Sequence, residues 1–187
     1  ETKDVLSLKG EAYFFRAYSY FDLLQLYGDV IITKKPLDIT DPEMKVKRND
    51  RSEVVDLIID DLNHAVENLP AFKELTTEEE GRISKEGAQA FLSRVALYEG
   101  TWQKSRNGNQ NTQRSANLLD IAAKAARTVI DAKYGYTFRL FGTDSETKIL
   151  GDSAQKYMFI LENEKSNPAG IKKSSNHEYI FARRHDQ

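Results

Sequence analysis

The sequence contains no cysteine among its 187 residues. This absence excludes disulfide bridges, thiolate metal sites, cysteine nucleophiles and a lipid-bearing cysteine from this stretch of chain. No apolar run approaches the roughly 18 residues that span a bilayer. The first residues, ETKDVLSLKG, include neither an initiator methionine nor the pattern of a signal peptide. We therefore expect that residue 1 is not the first residue of the gene, and that any N-terminal anchor lies outside this sequence.

The sequence also lacks an excess of charge of either sign. Lysine and arginine number 27 against 29 aspartate and glutamate residues, and the basic residues are spread along the chain. Phosphate-backbone binding needs a clustered positive field, so we predict that nucleic acid is not a partner. Hydrophobic residues make up 40% of the chain and charged residues 30%, which is typical of a folded, well-solvated domain with a real core.

The familiar catalytic and cofactor motifs are missing. The sequence has no G-x-S-x-G, no P-loop, no G-x-G-x-x-G that opens a helix and no H-E-x-x-H. Its three histidines, His64, His177 and His185, lie far apart and have no ligand spacing. We therefore predict no catalytic residues, no metal site and no cofactor. Acid–base catalysis by two carboxylates stays open because Asp and Glu are abundant, although no pair stands out.

The stretch GEAYFFRAYSYFDLLQLYGDV, from Gly10 to Val30, is rich in aromatic residues and predicts a helix capped by Gly28. Four apolar side chains fall on its polar half, so a second neighbour is expected to cover part of that half: Phe15, Tyr18, Leu23 and Leu26. One arc of the helical wheel carries the apolar side chains Tyr13, Phe14, Ala17, Tyr20, Phe21 and Leu24. Burial of each ring stabilises by roughly 1.5–3 kcal/mol, which favours a core helix over a ligand platform.

The stretch RSEVVDLIIDDLNHAVENLP predicts a second helix, capped by Asp50 or Ser52 and stopped by Pro70. Its apolar positions follow three- and four-residue spacing. The predicted outer face is acidic and comprises Glu53, Asp56, Asp60, Asp61 and Glu67. Without the glycine and alternating oxygens of a calcium loop, this row indicates a solvated face, with His64 as a partner of Asp60.

Two further helices are predicted, SKEGAQAFLSRVALYEGTW and SANLLDIAAKAARTVIDAKYG, and the second ends at Gly135. Small residues on their facing stripes indicate a close antiparallel hairpin. On the fourth helix, the side chains expected to face the core are Leu118, Ile121, Ala122, Ala125, Ala126, Val129 and Ile130. The polar stretch QKSRNGNQNTQR between the two helices predicts a surface loop.

The residues after Gly135 have a different character. YTFRLFG and HEYIFARR are typical of extended chain, KYMFIL is ambiguous, and SNPAGIKKSSN is typical of a loop. These pieces are too few to close a core of their own. From the residues alone, the sequence predicts a helical-hairpin repeat protein that binds a partner or ligand.

The four predicted helical stretches, in this order and spacing, resemble the SusD/RagB family of nutrient-uptake lipoproteins of Bacteroidetes. Further matches are the GR before the third helix, LYEGTW at its end, and an N-x-E-x-I stretch in SNHEYIFARR. The family's first block typically has the form G-E-A-x-F-x-R-A-x-x-Y-F-x-L-x-x-x-Y-G-D-V. The positions that match it here are Gly10, Glu11, Ala12, Phe14, Arg16, Ala17, Tyr20, Phe21, Leu23, Tyr27, Gly28, Asp29 and Val30.

This resemblance implies an all-α fold of tetratricopeptide-like helical hairpins, with a short irregular or extended C-terminal portion. Residues 1–135 would form the helical scaffold, and residues 136–187 would begin the family's second, loop-rich part. The implied function is non-catalytic capture of oligosaccharides, or in some members peptides, at the cell surface of the outer membrane. The implied partner is a SusC-like TonB-dependent transporter, with membrane attachment only through an N-terminal lipid anchor.

The resemblance does not identify ligand-contacting residues, because the family's glycan-contacting aromatics tend to lie before the first block or in the later half. Trp102 is the one candidate, since a tryptophan before a polar loop could stack on a sugar. Its alternative role is to close the helical hairpin. Two other functions stay open: an intracellular tetratricopeptide adaptor that binds a protein partner, and a helical glycosidase.

Overall fold

The structure, a computed structural model, describes residues 2–76, 78–79, 81–106, 112–161 and 163–181. Short 3-10 turns lie at Pro42–Lys45, Phe72–Glu74, Lys148–Ser153 and Lys173–Ser175. The β structure in this part of the chain is one isolated antiparallel bridge between Val30 and Asn49. The α-helices are α1 (Lys3–Tyr27), α2 (Arg51–Asn68), α3 (Lys85–Arg106), α4 (Thr112–Ile130) and α5 (Ala154–Tyr157). The predicted all-α class is confirmed.

Helices α1 and α2 form an antiparallel pair. Gly10, near the start of α1, lies against Leu69 just after α2, and Arg51 at the start of α2 donates to the Leu24 carbonyl near the end of α1. Helix α1 ends at Tyr27 and is capped by Gly28, whose φ of +72° suits glycine and whose N–H donates to the Leu24 carbonyl at 3.0 Å. The two helices therefore pack together between Gly10 and Leu24 of α1.

Five of the six members of the predicted core arc of α1 are buried, namely Phe14, Ala17, Tyr20, Phe21 and Leu24. The sixth, Tyr13, is partly buried against the same core. The Tyr20 hydroxyl is satisfied, because it accepts a hydrogen bond from the Thr33 N–H at 2.6 Å. A second neighbour covers a small part of the opposite half, since Tyr18 stacks on Phe91 of α3 with ring centroids 5.3 Å apart. Much of the Tyr18 side chain and those of Phe15, Leu23 and Leu26 are exposed in the described part of the chain.

Helix α2 begins after Asp50 rather than after Ser52, and the Glu53 carboxylate accepts the Asp50 N–H at 3.2 Å. The prediction that Asp61 belongs to the outer acidic face is wrong. Asp61 is fully buried, because Arg16 of α1 reaches it across the helix pair and neutralises its charge. The other four predicted acidic residues of the outer face are exposed.

Helices α3 and α4 form the predicted antiparallel hairpin. The Ser115 hydroxyl donates to the Gly100 carbonyl at 2.8 Å, and the Ser93 hydroxyl donates to the Ala122 carbonyl at 2.9 Å. A Cβ at Gly100 would lie 3.0 Å from the Leu119 side chain, so glycine permits this close approach. The small residues therefore allow α3 and α4 to approach closely, as their spacing predicted.

Three details of the hairpin differ from the prediction. Helix α4 ends at Ile130 rather than at Gly135. Helix α3 continues to Arg106 and α4 begins at Thr112, so both ends of the predicted loop QKSRNGNQNTQR are helical. Its middle, residues 107–111, lies outside the described residues. Ile130 is exposed rather than inward, because it is the last residue of α4 and no described element covers that end.

The chain after α4 forms a second, smaller apolar cluster of Phe141, Leu150, Ala154, Leu161 and Ile171. The stretches predicted to be extended form no strand in residues 136–161 and 163–181, and one backbone hydrogen bond, Arg139 N to His177 O at 3.0 Å, joins them. In KYMFIL, α5 ends at Tyr157. The division at residue 135 stays a prediction.

The C-terminal portion packs against the helices through aromatic rings. Phe72, in the turn after α2, contacts Tyr136 with ring centroids 4.5 Å apart, and Phe181 contacts Phe14 of α1 at 6.0 Å. The end of HEYIFARR, residues 182–187, lies outside the described residues. Among the helices in the described ranges, none combines the length and apolar character needed to cross a bilayer.

Candidate functional site

Trp102 lies near the end of α3 and is half-buried. Two guanidinium groups cover its indole ring: the Cζ atoms of Arg51 and Arg106 lie 4.2 Å and 4.4 Å from the ring centroid. Tyr98, one turn earlier on α3, stacks beside the indole with centroids 6.2 Å apart and planes tilted by 29°. We call these four residues the Trp102 cluster. Each such cation–π contact contributes about 0.5–1 kcal/mol at an exposed site and more when the groups are desolvated.

Arg51 is the most firmly held member of the Trp102 cluster. Its Nε and Nη2 lie 2.9 Å and 2.8 Å from Oε2 of Glu99, and its Nη1 donates to the Leu24 carbonyl at 3.3 Å. Its main-chain N–H donates to Oδ1 of Asp29 at 2.9 Å. One arginine therefore joins the end of α1, the start of α2 and the middle of α3.

Glu99 is the buried anion of this network. Its carboxylate has no solvent exposure. Both carboxylate oxygens have partners inside the protein: Arg51 binds Oε2, and the Gln103 side-chain amide donates to Oε1 at 2.6 Å. Ionised carboxylates are tolerated inside proteins only when they are paired and hydrogen-bonded in this way. The arrangement satisfies the charge of Glu99 completely, which indicates a structural role rather than acid–base chemistry.

The Trp102 cluster limits what the indole can bind. Sugars stack on open aromatic faces, and here the guanidinium groups occupy part of the face that a sugar ring would need. Arg106 is exposed at the end of α3, whereas Arg51 is tied to Glu99. A sugar would therefore have to displace Arg106. The assignment of Trp102 as a ligand-binding residue stays a prediction.

A row of aromatic rings runs from α1 to Trp102. Tyr18 stacks on Phe91 at 5.3 Å, Phe91 meets Phe21 edge-on at 5.5 Å, and Phe21 meets Tyr98 edge-on at 5.5 Å. Phe21 in the middle of this row is buried. Edge-to-face and offset geometries are those that aromatic pairs prefer in a core. Tyr18 and Phe21, two of the seven aromatic residues of α1, thus pack against α3 in this row.

A separate groove lies between the start of α1, the end of α2 and the connection that leads to α3. It has a volume of about 470 Å³. Its charges neutralise one another: Arg82 Nε lies 2.7 Å from Glu11 Oε1, and Arg82 Nη1 lies 3.2 Å from Glu79 Oε1. The hydrogen bond to Glu11 raises the pKa of Arg82, and hydrogen bonds from Thr76 lower the pKa of Glu79.

This groove lacks the features of a sugar site. No aromatic side chain is among the described residues that line it. Carbohydrate sites combine aromatic faces with convergent polar groups, and Lys3, Glu74, Glu79 and Arg82 of this groove are already held in ion pairs. The groove is therefore a weaker candidate for glycan binding than the Trp102 cluster.

The histidines are used in separate local contacts. His64 lies 3.8 Å from Asp60 and 3.3 Å from Glu67, as expected for a partner of the exposed acidic face. His177 Nδ1 lies 2.7 Å from the Tyr136 hydroxyl, whose pKa is raised by burial. His185 lies outside the described residues. Within residues that the structure describes, no three His, Asp or Glu side chains gather as metal ligands would.

Several residues of the sequence motifs connect separate segments of the chain through hydrogen bonds. Asp29 receives the N–H of Arg51, Asn176 receives the N–H of Glu178 at 3.0 Å, and Glu178 receives the N–H of Phe141 at 2.9 Å. The importance of Arg51 and Glu99 was missed from the sequence. Their signal was a glutamate next to a glycine on the packed face of α3, because a charge in such a position requires a partner.

Comparison with known proteins shows which family the chain resembles. The model of a SusD-like family, described as starch-binding and associating with the outer membrane, matches residues 1–97 of the 187. A SusD-like protein of Formosa agariphila is 36% identical over 90 residues, which are 48% of this chain and 17% of that protein.

Solved structures share the fold. A SusD-like protein from Bacteroides fragilis is 27% identical, with a TM-score of 0.67, over 97% of this chain and 28% of that one. A laminarin-binding SusD-like protein is 25% identical, with a TM-score of 0.57, over 82% of this chain and 30% of that one. The chain thus spans less than a third of the length of each of these relatives.

Proposed function

Since the chain belongs to the SusD-like family, we propose that it is part of a non-catalytic protein that captures glycans at the cell surface and works with a SusC-like TonB-dependent transporter. The observation that carries this proposal is the family match over residues 1–97. It is supported by a solved SusD-like protein whose fold matches 97% of this chain. The chain spans 28% of that relative, so the proposal concerns the protein of which this chain is a part.

The chemical class of the ligand is proposed to be an oligosaccharide. The family is described as starch-binding, and one solved relative is described as binding laminarin, so α-linked and β-linked glucans are the first ligands to test. The described residues offer little open aromatic surface with convergent polar groups, because the aromatic row is packed and Trp102 is covered by arginines. We propose that most of the glycan-contacting surface lies outside these 187 residues.

The proposed location is the outer face of the outer membrane, with attachment through a lipid on a cysteine that lies outside this sequence. The family description names the outer membrane, which supports this location. The experiment is surface proteolysis of intact cells together with affinity purification of the tagged protein. We expect cleavage on intact cells and co-purification of a TonB-dependent barrel. Full protection in intact cells would favour the intracellular adaptor instead.

Calorimetry tests the function itself. The full-length protein and the 187-residue chain are titrated with the same starch and laminarin oligosaccharides, and products are checked for hydrolysis. We expect binding by the full-length protein, no detectable binding by the chain, and no hydrolysis by either. Equal affinities would place the site within this chain, and turnover would favour the glycosidase.

Two variants of the full-length protein examine Trp102 within the same titration. If the indole stacks on sugar, Trp102→Ala weakens binding by about tenfold or more, while Arg106→Ala uncovers the ring and strengthens binding. If Trp102 only closes the hairpin, both variants bind as the unaltered protein does. Our proposal that the site lies elsewhere predicts the second pattern.

A further inference from the structure

Three lysines from three separate segments line one pocket, which has a volume of about 320 Å³. Lys73 lies in the turn after α2, Lys85 is the first residue of α3, and Lys133 lies in the turn after α4. We call this concavity the lysine pocket. Its other described lining residues are Ala71, Glu74, Ala132, Tyr134 and Gly135.

The main chain after α4 leaves room for Lys73. A Cβ on Gly135 would lie 2.5 Å from Nζ and 3.2 Å from Cε of Lys73, so glycine is what admits this side chain. Hydrogen bonds fix the turn: the N–H of Gly135 donates to the Ala132 carbonyl at 2.8 Å, and that of Lys133 donates to the Thr128 carbonyl at 3.1 Å. The lysine pocket is therefore built on a defined backbone.

The positive charges of the lysine pocket are not neutralised by the chain. In the ranges that the structure describes, none of its three ammonium groups forms an ion pair. Oε2 of Glu74 accepts the Ala71 N–H at 3.4 Å and lies 3.7 Å from Nζ of Lys3. The buried Glu86, next in sequence to one of the lysines, accepts the Phe72 N–H at 2.7 Å. Even with both carboxylates counted, the three lysines leave an excess of positive charge.

Converging ammonium groups of this kind are suited to bind an anion. A lysine ammonium is a compact positive charge with three N–H donors, and an oxyanion accepts such donors through charge-assisted hydrogen bonds. Other lysines of the chain meet carboxylates instead: Lys35 lies 2.9 Å from Glu43, and Lys124 lies 2.6 Å from Asp120. The lysine pocket supplies the positive half of such a pair, so a ligand is needed to supply the negative half.

Tyr134 adds an aromatic surface to the lysine pocket. Its hydroxyl accepts a hydrogen bond from the Gln89 side-chain amide at 3.1 Å, which holds the ring in place. Sugar sites combine an aromatic face with convergent polar groups, and pockets of about 300 Å³ are at the small end of ligand sites. Because the convergent groups are mostly cationic, a sugar that carries a negative charge fits better than a neutral one.

We propose that the lysine pocket binds an oxyanion carried by a sugar, such as the carboxylate of a uronic acid. Lys73, Lys85 and Lys133 donate to the anion, and Tyr134 contacts the sugar ring. This proposal rests on the proposed glycan function and deepens it, because it adds acidic glycans to the ligands and assigns one contact site to this chain.

Calorimetric titration of the full-length protein with three probes tests the proposal. Tetragalacturonate carries carboxylates on a sugar, sodium sulfate is a free oxyanion, and maltotetraose is neutral. The variant Lys73→Gln, Lys133→Gln removes two charges of the lysine pocket. The variant Lys104→Gln, Lys148→Gln is the matched control, because these two lysines are also exposed but lie outside the pocket. Circular dichroism checks that both variants keep their helices.

We expect tetragalacturonate to bind the unaltered protein and the control variant alike, and the pocket variant about tenfold more weakly. Its binding should weaken as salt is added, because exposed charges are screened. Sulfate is expected to compete with tetragalacturonate for the pocket. The affinity for maltotetraose should be the same in all three proteins.

Three results would overturn the proposal. Equal affinity of the pocket variant and the control for tetragalacturonate would place the anion contacts elsewhere. Binding of sulfate without binding of tetragalacturonate would show a site for a free anion. If maltotetraose alone binds, the lysine pocket takes no anion, while the proposed capture of glycans stands. The two proposals therefore fail separately.

Discussion

Arg16 and Asp61 form a two-bonded ion pair that joins α1 to α2 near their midpoints. Arg16 Nε donates to Oδ2 of Asp61 at 2.7 Å, and Nη2 donates to Oδ1 at 2.6 Å. The Asp61 side chain is fully buried, and a third of the Arg16 side chain, 33%, is exposed. The hydrogen bond to Asp61 raises the pKa of Arg16, so the guanidinium stays charged at every pH at which the protein is folded.

Arg16→Leu is expected to lower the free energy of unfolding by about 3 kcal/mol, because it leaves a buried carboxylate without a partner. The double variant Arg16→Leu, Asp61→Leu removes both charges and should recover much of that loss. Urea denaturation of the three proteins measures both effects. A single variant as stable as the unaltered chain would mean that Asp61 reaches water, contrary to its burial.

Gly10→Ala is expected to destabilise the chain by about 1 kcal/mol. A Cβ at residue 10 would lie 2.9 Å from Cγ and 3.0 Å from the main-chain N of Leu69. Alanine gains about 1 kcal/mol in helix propensity, but the clash involves main-chain atoms that cannot swing away, and overpacking costs about 1–3 kcal/mol. Ser19→Ala, on the exposed side of α1, is the control for propensity alone. If Gly10→Ala stabilised as much as the control does, the close approach of the two segments would be wrong.

Phe21→Ala is expected to cost about 3–5 kcal/mol, the range for a large buried aromatic. Phe21 is 4% exposed and holds the middle of the aromatic row. Phe15→Ala is the matched control on the exposed side of α1 and should cost less than about 1 kcal/mol in the 187-residue chain. Urea unfolding followed by Trp102 fluorescence measures both. Similar losses for the two variants would contradict the assignment of the two faces.

Asp144 supplies a prediction about acid. The Thr147 N–H donates to Oδ1 of Asp144 at 2.9 Å and the Glu146 N–H donates at 3.0 Å, and these bonds, that from Thr147 first, lower the pKa of Asp144. A pKa that is lower in the folded state stabilises the fold above the unfolded pKa of about 3.9, and this contribution is lost as the pH falls through the folded pKa.

We therefore expect Asp144→Asn to be less stable than the unaltered chain at pH 7, with a difference that shrinks as the pH falls below about 4. Denaturation at several pH values measures this difference, and carboxyl NMR titration measures the pKa directly. A difference that does not change between pH 7 and pH 3 would show that the Asp144 charge makes no contribution.

Much of the helical architecture follows from local pattern. The buried arc of α1, the Gly28 cap and the close contact at Gly100 were all predictable, because helical periodicity and glycine's conformational freedom act within a few residues. The family was predictable too, since its motif residues lie in a recognisable order. In the structure, two of these residues connect α1 and its C-terminal cap to α2: Asp29 accepts the N–H of Arg51, and Arg16 pairs with Asp61.

The sequence by itself determined the helices, their apolar stripes and the family, whereas the tertiary structure decided which polar residues are buried and how Trp102 is covered. Asp61 has the spacing of an outer acidic row, and it is buried because Arg16, 45 residues earlier, reaches it. Trp102 precedes a polar loop, yet Arg51 approaches its ring from another helix. Such pairings depend on distances across the fold, and helical periodicity carries no information about them.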